Sequence, residues 1–239
     1  MAEGSADRLA LCQTPQVFAS RPFDWTQGGG LLSLYPDGMV KHALIISHPR
    51  TNSFTASVAA AYAGACKGLG HDTVVRDLYA MEFDPRLKAE ELPFAPDFKP
   101  LADVLSERDL LKSCDVFALF YPLWLNAPPA MMKGYLDRVF GFGFAYGGGG
   151  HSYNPLLKGR KLISFSSSGA PLSWVKQTGA LAATSTLFDS YFAELCGMEA
   201  LEHVHAGAVT QGASESFVAA RLEDVRKTVN KHFGSGTCH

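Results

Sequence analysis

Five apolar segments along the chain have the composition of buried β-strands. The clearest are His42–Ser47 and Asp115–Tyr121, which are almost continuously apolar, and Lys161–Ser166 has a similar character. Thr73–Arg76 and Ala200–Gly207 are weaker examples. Continuous apolar runs, rather than alternating apolar and polar residues, are typical of parallel strands that are covered on both faces. The pattern therefore predicts five strands of a parallel sheet.

Between these strands, apolar residues recur with the period of an α-helix. In the first such segment Val58, Tyr62, Ala65 and Leu69 share one face, and Gly70 is placed to end the helix. The alternation of strand and helix predicts a doubly wound five-stranded parallel sheet with helices on both faces. The predicted helices are Ser53–Leu69, Leu101–Ser113, 128–140, Val175–Cys196 and Ser214–His232, and the proline-rich residues 78–100 are predicted to be irregular.

The first 38 residues differ from the rest of the chain. They contain several prolines and a run of three glycines, show no helical or strand periodicity, and lack the basic start and apolar stretch of a secretory signal. Such a segment offers too little apolar surface to offset the entropy lost on ordering it. We expect residues 1–38 to be a disordered extension, or Met39 to be the true start, and residues 39–239 to form the functional domain.

Composition and charge argue against several classes of protein. The 239 residues are 47% apolar and 18% charged with a net charge of −2, so nothing indicates binding to nucleic acid or to an acidic membrane. No apolar run reaches the roughly 18 residues that a membrane span needs. The histidines and cysteines show no HxxxH or CxxC spacing, and we expect no metal site. The odd number of scattered cysteines favours a reducing cytoplasm.

Ligands of doubly wound sheets bind outside the carboxyl ends of the strands, which singles out three loops. The first, residues 48–55, joins a strand to a helix, and Ser53 and Thr55 add hydroxyl groups to the free N–H groups of the helix start. This is a natural phosphate cradle, to which His48 and Arg50 could add positive charge. The alternative is that Ser53 only caps the helix. The loop contains neither GxxxxGK nor GxGxxG.

The second and third loops have a composition that suits a flat ring. Residues 121–129 combine rigid prolines with Trp124 and Leu125, which would form an apolar wall at the edge of the sheet. Residues 166–171 are mostly small, so that their backbone could approach a ligand closely. The alternatives are a core tryptophan and an ordinary turn. The prediction of a binding site therefore depends on all three loops meeting at one edge of the sheet.

Four blocks of the sequence, in order, resemble the NAD(P)H dehydrogenase (quinone) family. They are ALIISHPRTNSF, RDLYAMEFDPRL, FYPLWLNAPPAMMKGYLDRVF followed by FAY, and ELCGMEAL, and the similarity covers nearly all of residues 41–232. The resemblance implies a flavodoxin-like fold, a non-covalent flavin (FAD, with FMN the lesser possibility) and a homodimer with its active site at the subunit interface. It also implies ping-pong transfer, in which NAD(P)H reduces the flavin and leaves before a quinone-like acceptor takes the electrons.

The same resemblance assigns residues to the parts of the site. Asp137 matches an acidic position near the adenine end of the flavin, and Tyr146 would face the acceptor pocket. The other assignments follow the three loops: His48, Ser53, Phe54 and Thr55 for the phosphates and adenosine, Pro122, Leu123, Trp124, Leu125 and Asn126 for the isoalloxazine, and Ser166, Ser167, Ser168 and Gly169 for its polar edge.

The sequence departs from the family in residues that bear on the chemistry. A tryptophan–phenylalanine pair of the family is Leu125-Asn126 here, and the tyrosine after the third loop is Trp174. The histidine that accompanies that tyrosine has no counterpart, since no histidine lies between residues 152 and 202. Indole donates one hydrogen bond but cannot relay a proton at neutral pH. We expect Trp174 to act as a wall for flat acceptors, quinone reduction to be modest, and His203 to be an ordinary solvated or satisfied histidine.

Two other functions stay open on the sequence alone. The protein could be a flavoprotein that binds and regulates a partner, as ancillary subunits of potassium-efflux systems in the same superfamily do. It could also be a one-electron carrier like flavodoxin. Such carriers usually have strongly acidic surfaces, and the net charge of −2 argues against that class.

Overall fold

Five parallel strands form the main sheet of the computed structural model, which describes residues 39–93, 95–148 and 153–234. Each strand lies within one residue of its predicted bounds, which confirms the predicted sheet. The strands are β1 (Lys41–Ile46), β2 (Asp72–Asp77), β3 (Val116–Pro122), β6 (Lys161–Ser167) and β7 (Glu199–Ala206), in the order β2-β1-β3-β6-β7. A separate antiparallel ribbon pairs β4 (Tyr146–Gly147) with β5 (Asn154–Pro155).

Four helices occupy predicted segments, and a fifth predicted helix is broken. Instead of one helix over Val175–Cys196, the chain forms shorter pieces, because Gly179 adopts a left-handed φ of 74° that ends the first of them. The confirmed helices are α1 (Phe54–Gly68), α2 (Ala102–Leu111), α3 (Ala130–Val139) and α7 (Glu215–Phe233). The broken stretch consists of α4 (Leu172–Gln177), α5 (Ala180–Ser185), a π-helical segment (Thr186–Tyr191) and α6 (Phe192–Cys196).

Apolar side chains pack on both faces of the sheet, because successive residues of a strand point to opposite sides. Leu44, Phe120 and Phe165 belong to the core under α1 and α7. Ala43 and Leu119 belong to the other core, which α2, α3 and α6 cover. The sheet is therefore buried on both faces.

Two further expectations can be set against the structure. The predicted extension, residues 1–38, lies outside the described part of the chain, so its disorder stays a prediction. No helix among the described residues is long and apolar enough to cross a membrane.

Candidate functional site

The first loop leads into a helix start with unused hydrogen-bond donors. The Ser53 hydroxyl caps α1 by accepting a hydrogen bond from the Ala56 amide at 3.1 Å. The Phe54 and Thr55 amides find no acceptor within the described part of the chain, as is usual in the first turn of a helix. Together with the positive end of the helix dipole, they favour an anion. Ser53 is therefore a cap, and the cap leaves two donors for a phosphate.

His48 contributes less positive charge than its sequence position suggested. Its Nδ1 accepts a hydrogen bond from the Arg50 amide at 3.0 Å, and its ring centroid lies 6.0 Å from that of Trp124. Partial burial lowers the pKa of His48, and the nearby Arg50 guanidinium lowers it further, although a backbone contact with Arg50 raises it in part. A lowered pKa leaves the ring mostly neutral at pH 7. Arg50 is then the main cation of this loop.

The second loop presents apolar side chains on a strained backbone. The Leu123 amide donates a hydrogen bond to the Ser167 carbonyl at 2.7 Å, which fixes the start of the loop against β6. Beyond it, Trp124 is 44% exposed and Leu125 is fully exposed. Leu125 and Asn126 have φ values of 50° and 60°, in the left-handed region that residues other than glycine rarely adopt. Strain of this kind concentrates at ligand-binding segments.

The backbone donors expected at the ring edge are only partly free. The Trp124 and Ser168 amides already donate to backbone carbonyls, at 2.9 and 3.0 Å. The amides of Leu125, Asn126 and Gly169 have no acceptor among the residues that the structure describes. The donors available to a ligand therefore come from the tips of the second and third loops rather than from their first residues.

The three loops meet at the carboxyl edge of the sheet. Besides the Leu123–Ser167 bond and the His48–Trp124 contact, one small cavity is lined by Phe54 and Thr55 together with residues of β3 and β6. The predicted residues divide by exposure: Ser53, Thr55, Pro122, Leu123, Ser166 and Ser167 are buried, and His48, Phe54, Trp124, Leu125, Asn126, Ser168 and Gly169 are partly or fully exposed.

Three predicted residues lie elsewhere on the chain. Asp137 is on α3, where its carboxylate pairs with Lys133 Nζ at 2.5 and 2.8 Å. Asp137 and Tyr146 line a depression whose other wall includes Leu187 and residues of the π-helical segment and α6. Trp174 is on α4 and is 54% exposed. None of the three is among the residues that line the small cavity at the loop edge, so their assigned roles stay predictions.

A hydrogen-bonded chain of buried polar residues, which sequence reasoning missed, ends at the third loop. Asp189 Oδ2 lies 2.6 Å from His203 Nδ1, and His203 Nε2 lies 2.6 Å from Ser166 Oγ. Ser166 Oγ also lies 2.7 Å from His205 Nδ1, and His205 Nε2 lies 2.9 Å from Ser168 Oγ. We call this the Asp189–Ser168 chain. His203 is thus a satisfied histidine, and it belongs to a connected network that reaches the site.

Two histidines of the last strand reach the third loop. No histidine lies between residues 152 and 202, but His203 and His205 of β7 lie within hydrogen-bond distance of Ser166 and Ser168. An irregularity in the β6–β7 pairing sets Ala200 opposite Leu162 and Glu202 opposite Ile163, so that Leu201 is an extra residue. Beyond it His205 lies opposite Ser166. The alternation His-Val-His was a readable signal, since residues two apart in a strand share a face.

Comparison with known proteins agrees with this architecture. The family described as "Flavodoxin-like fold" matches residues 40–229. The chain belongs to this flavodoxin-like family. A Haemophilus influenzae protein named "Uncharacterized NAD(P)H oxidoreductase" is 32% identical over 164 residues, which are 68% of this chain and 81% of that protein. The chain spans about half the length of two other curated relatives, 48% and 55%.

Solved structures place the flavodoxin-like chain among proteins of the same fold. The NAD(P)H:quinone oxidoreductase of Methanothermobacter marburgensis has a TM-score of 0.70 at 24% identity and covers 84% of this chain and 100% of its own. An FMN-dependent NADH-azoreductase of Bacillus anthracis, solved with FMN, has a TM-score of 0.62 at 18% identity and covers 82% and 100%. The relatives are named as oxidoreductases, and the chain is an oxidoreductase of this family.

Proposed function

We propose that the protein transfers two electrons from NAD(P)H to a quinone-like acceptor by way of a bound flavin. The observation that carries the proposal is the convergence of three loops at one edge of the sheet. The Phe54 and Thr55 amides there have no acceptor among the described residues, and Trp124 and Leu125 form an exposed apolar wall. Oxidoreductase names among the relatives support the reaction class. The order we propose is ping-pong, in which NAD(P)H would leave the site before the acceptor enters it.

The residues present fit a flavin. The helix start at Phe54 and Thr55 suits the phosphates, with Arg50 as the nearby cation. The wall of Trp124 and Leu125 suits the isoalloxazine, and the free amides at the loop tips suit its carbonyl edge. When bound, the flavin supplies the hydride chemistry. We infer that the bound flavin is FAD. FMN is the alternative, and the Bacillus anthracis azoreductase is named as FMN-dependent.

The chain's own residues orient the reactants and keep water out. The exposed faces of Trp124 and Trp174 offer flat apolar surfaces on which an aromatic acceptor can stack. Tyr146 and Asp137 fit best in a homodimer, where their depression would adjoin the partner's loops. The three free cysteines of the described residues are buried, which is consistent with work in the cytoplasm.

The first test is flavin binding, with a matched pair of variants. FAD and FMN are titrated into flavin-free protein and followed by fluorescence, and NADPH is then added without oxygen. Phe54→Glu sets a carboxylate in the first turn of α1 and should weaken FAD binding at least about tenfold. Phe217→Glu makes the same change in the first turn of α7, to which no flavin contact is assigned, and should not.

Two outcomes would redirect the proposal. If neither flavin binds at micromolar concentration, or if both variants bind like the wild type, the flavin site is misplaced. If flavin binds but NADPH bleaches it very slowly, the regulatory alternative gains. Accumulation of a one-electron reduced species during titration would favour a carrier of the flavodoxin type.

A further inference from the structure

The direction of each hydrogen bond in the Asp189–Ser168 chain can be worked out from its loop end. Ser168 Oγ lies 3.0 Å from the Ala170 carbonyl, which can only accept, so the Ser168 hydroxyl donates there. Ser168 Oγ must then accept from His205, which requires a proton on His205 Nε2. Burial lowers the pKa of His205 to about 4, and the neighbouring His203 contributes. His205 is therefore neutral at pH 7, and its Nδ1 is an acceptor.

The same assignment of donors and acceptors determines the protons at the buried end of the chain, at Ser166, His203 and Asp189. Because His205 Nδ1 accepts, the Ser166 hydroxyl donates to it and must itself accept from a proton on His203 Nε2. The 2.6 Å contact between His203 Nδ1 and Asp189 needs one more proton. That proton makes the pair either an imidazolium with a carboxylate or a neutral imidazole with a carboxylic acid. In this proton-rich state every contact of the chain is a hydrogen bond.

A second state with one proton fewer also satisfies all four contacts. If the Ser168 hydroxyl proton leaves, His205 Nε2 passes its proton to Ser168, and the Ser166 proton moves to His205 Nδ1. His203 Nε2 then passes its proton to Ser166. The proton between His203 Nδ1 and Asp189 stays in that hydrogen bond. The Ser168 hydroxyl now donates to His205 Nε2 and no longer donates to the Ala170 carbonyl. The two states differ by one proton, which leaves the Asp189–Ser168 chain from the Ser168 hydroxyl.

We propose that the Asp189–Ser168 chain is a proton store for the reductase site and delivers its proton through the Ser168 hydroxyl. The inference rests on the proposed function. Two-electron reduction of a quinone takes up one hydride, which comes from NAD(P)H by way of the flavin, and one proton, which the store supplies to form the second O–H bond. After the product leaves, water at Ser168 returns a proton by the same route.

The surroundings of Asp189, at the buried end of the chain, favour a stored proton over a permanent His203–Asp189 ion pair. Asp189 Oδ1 and the Tyr121 hydroxyl are both buried and have no hydrogen-bond partner among the described residues. An unpartnered oxygen costs less on a neutral carboxylic acid than on a carboxylate, so the site tolerates a protonated Asp189. Burial, and then the charge of Asp189, raise the pKa of Tyr121, which therefore does not exchange protons at neutral pH. Arg221 and Asp224 of α7 line a cavity with His205 and are the other charged groups nearby.

The first experiment needs no flavin. Nitrogen-15 NMR of the histidines in the full chain, from pH 5 to 9, reports the protonation of each ring nitrogen. We expect His205 to change from the Nε2–H to the Nδ1–H tautomer without becoming charged, and the hydrogen bond between Ser166 and His203 Nε2 to reverse its direction at the same pH. Ser168→Ala should uncouple the two changes, and Ser168→Thr should keep them coupled. A His205 that keeps one tautomer over the whole range would overturn the proposal.

The second experiment uses flavin-loaded protein and two acceptors. Reduction of 1,4-benzoquinone needs a proton, whereas ferricyanide takes one electron and none. Ser168→Ala and Asp189→Asn should slow benzoquinone reduction about 10²-fold more than they slow ferricyanide reduction, with a smaller solvent deuterium effect. Ser173→Ala, an exposed serine of α4, is the matched control. Equal slowing with both acceptors would show that the chain has only a structural role, and it would not affect the proposal that the protein is a reductase. Failure of the protein to bind flavin would refute the reductase proposal but would not affect the NMR result.

Discussion

Arg138 is the residue that ties the irregular segment between β2 and α2 to the core. Its Nε bonds to Glu91 Oε2 at 2.8 Å, and its terminal nitrogens reach Asp103 Oδ2 at 2.7 Å and the Asp84 carbonyl at 2.6 Å. The Arg138 and Glu91 side chains are only 1% and 3% exposed. A buried ion pair adds little net stability while both partners are present, but the loss of one partner leaves an uncompensated buried charge.

Arg138→Met should therefore destabilise the protein by about 3–5 kcal/mol. The Met side chain fills much of the space but cannot pair with Glu91. Arg226→Met removes an exposed pair with Glu223, 3.1 Å long, and should cost less than about 1 kcal/mol. Urea unfolding of both variants makes the comparison. Similar losses in the two variants would mean that Arg138 does not hold the segment.

His42 carries a pH dependence of stability that can be isolated. It is fully buried. Its Nδ1 lies 2.8 Å from the Tyr62 hydroxyl oxygen, and its Nε2 lies 3.1 Å from His71 Nδ1. Burial, and then the charge of His71, lower the pKa of His42 from 6.5 to about 3. Between these values the unfolded chain binds a proton that the native protein does not. Stability from this group is therefore complete above pH 6.5 and is lost as the pH falls.

The expected slope is roughly 1.4 kcal/mol per pH unit between pH 6 and 5. His42→Asn should lose that share of the slope, whatever its stability at pH 7, because asparagine does not titrate. His232→Asn, on α7, controls for removal of a histidine. The measurement is the unfolding free energy in urea at several pH values. An unchanged slope in His42→Asn would show that His42 is protonated in the native protein.

At the scale of elements, the backbone strain in the second loop lowers stability while the loop presents an exposed apolar wall. Leu125 and Glu82 are both non-glycine residues with a φ of 50°, but only Leu125 lies in the candidate site. Glycine adopts this conformation without strain, so Leu125→Gly and Glu82→Gly should each leave stability unchanged or raise it by up to about 1 kcal/mol. Only Leu125→Gly should weaken flavin binding. Thermal unfolding and flavin titration of the pair separate the effects, and equal flavin affinities would remove Leu125 from the wall.

The elements that sequence predicted correctly are those whose signal is local. Short apolar runs such as Val116–Pro122 are typical of strands of a covered sheet, and their bounds followed within a residue. The stretch from α4 to α6 was predicted as one helix and its division was not, because its apolar periodicity continues across Gly179 and hides the break. Whether such a glycine continues or ends a helix depends on the packing of both halves, which a window of sequence does not contain.

The same distinction explains what could be predicted of the site. The three loops were found because the carboxyl ends of parallel strands share an edge, and each loop carries its own composition. The Asp189–Ser168 chain was missed because it joins a π-helical segment, two strands and a loop that are far apart in sequence. Its register also depends on the extra residue Leu201 in β7. No local pattern around Asp189 indicates its partner.

At the scale of the whole molecule, one apolar surface is left uncovered by the residues that the structure describes. Leu187 and Tyr191, one turn apart on the π-helical segment, are each 60% exposed and line the depression that also contains Tyr146. Large exposed side chains grouped around a depression are typical of protein interfaces rather than of free surface. We propose a second copy of the chain as its occupant, because the acceptor site would then be shared between subunits.

Tyr191→Lys should therefore weaken self-association by roughly 30-fold or more, as expected for an aromatic residue near the centre of an interface. Leu105→Lys changes a residue of α2 that is 46% exposed and does not line the depression, and it should leave self-association unchanged. Sedimentation velocity over a range of micromolar concentrations gives both dissociation constants. If the monomeric variant still binds flavin but loses affinity for the acceptor, Tyr146 acts across the interface. If both variants remain dimeric with equal constants, another face of the molecule forms the dimer, and Tyr146 and Asp137 have no part in the site.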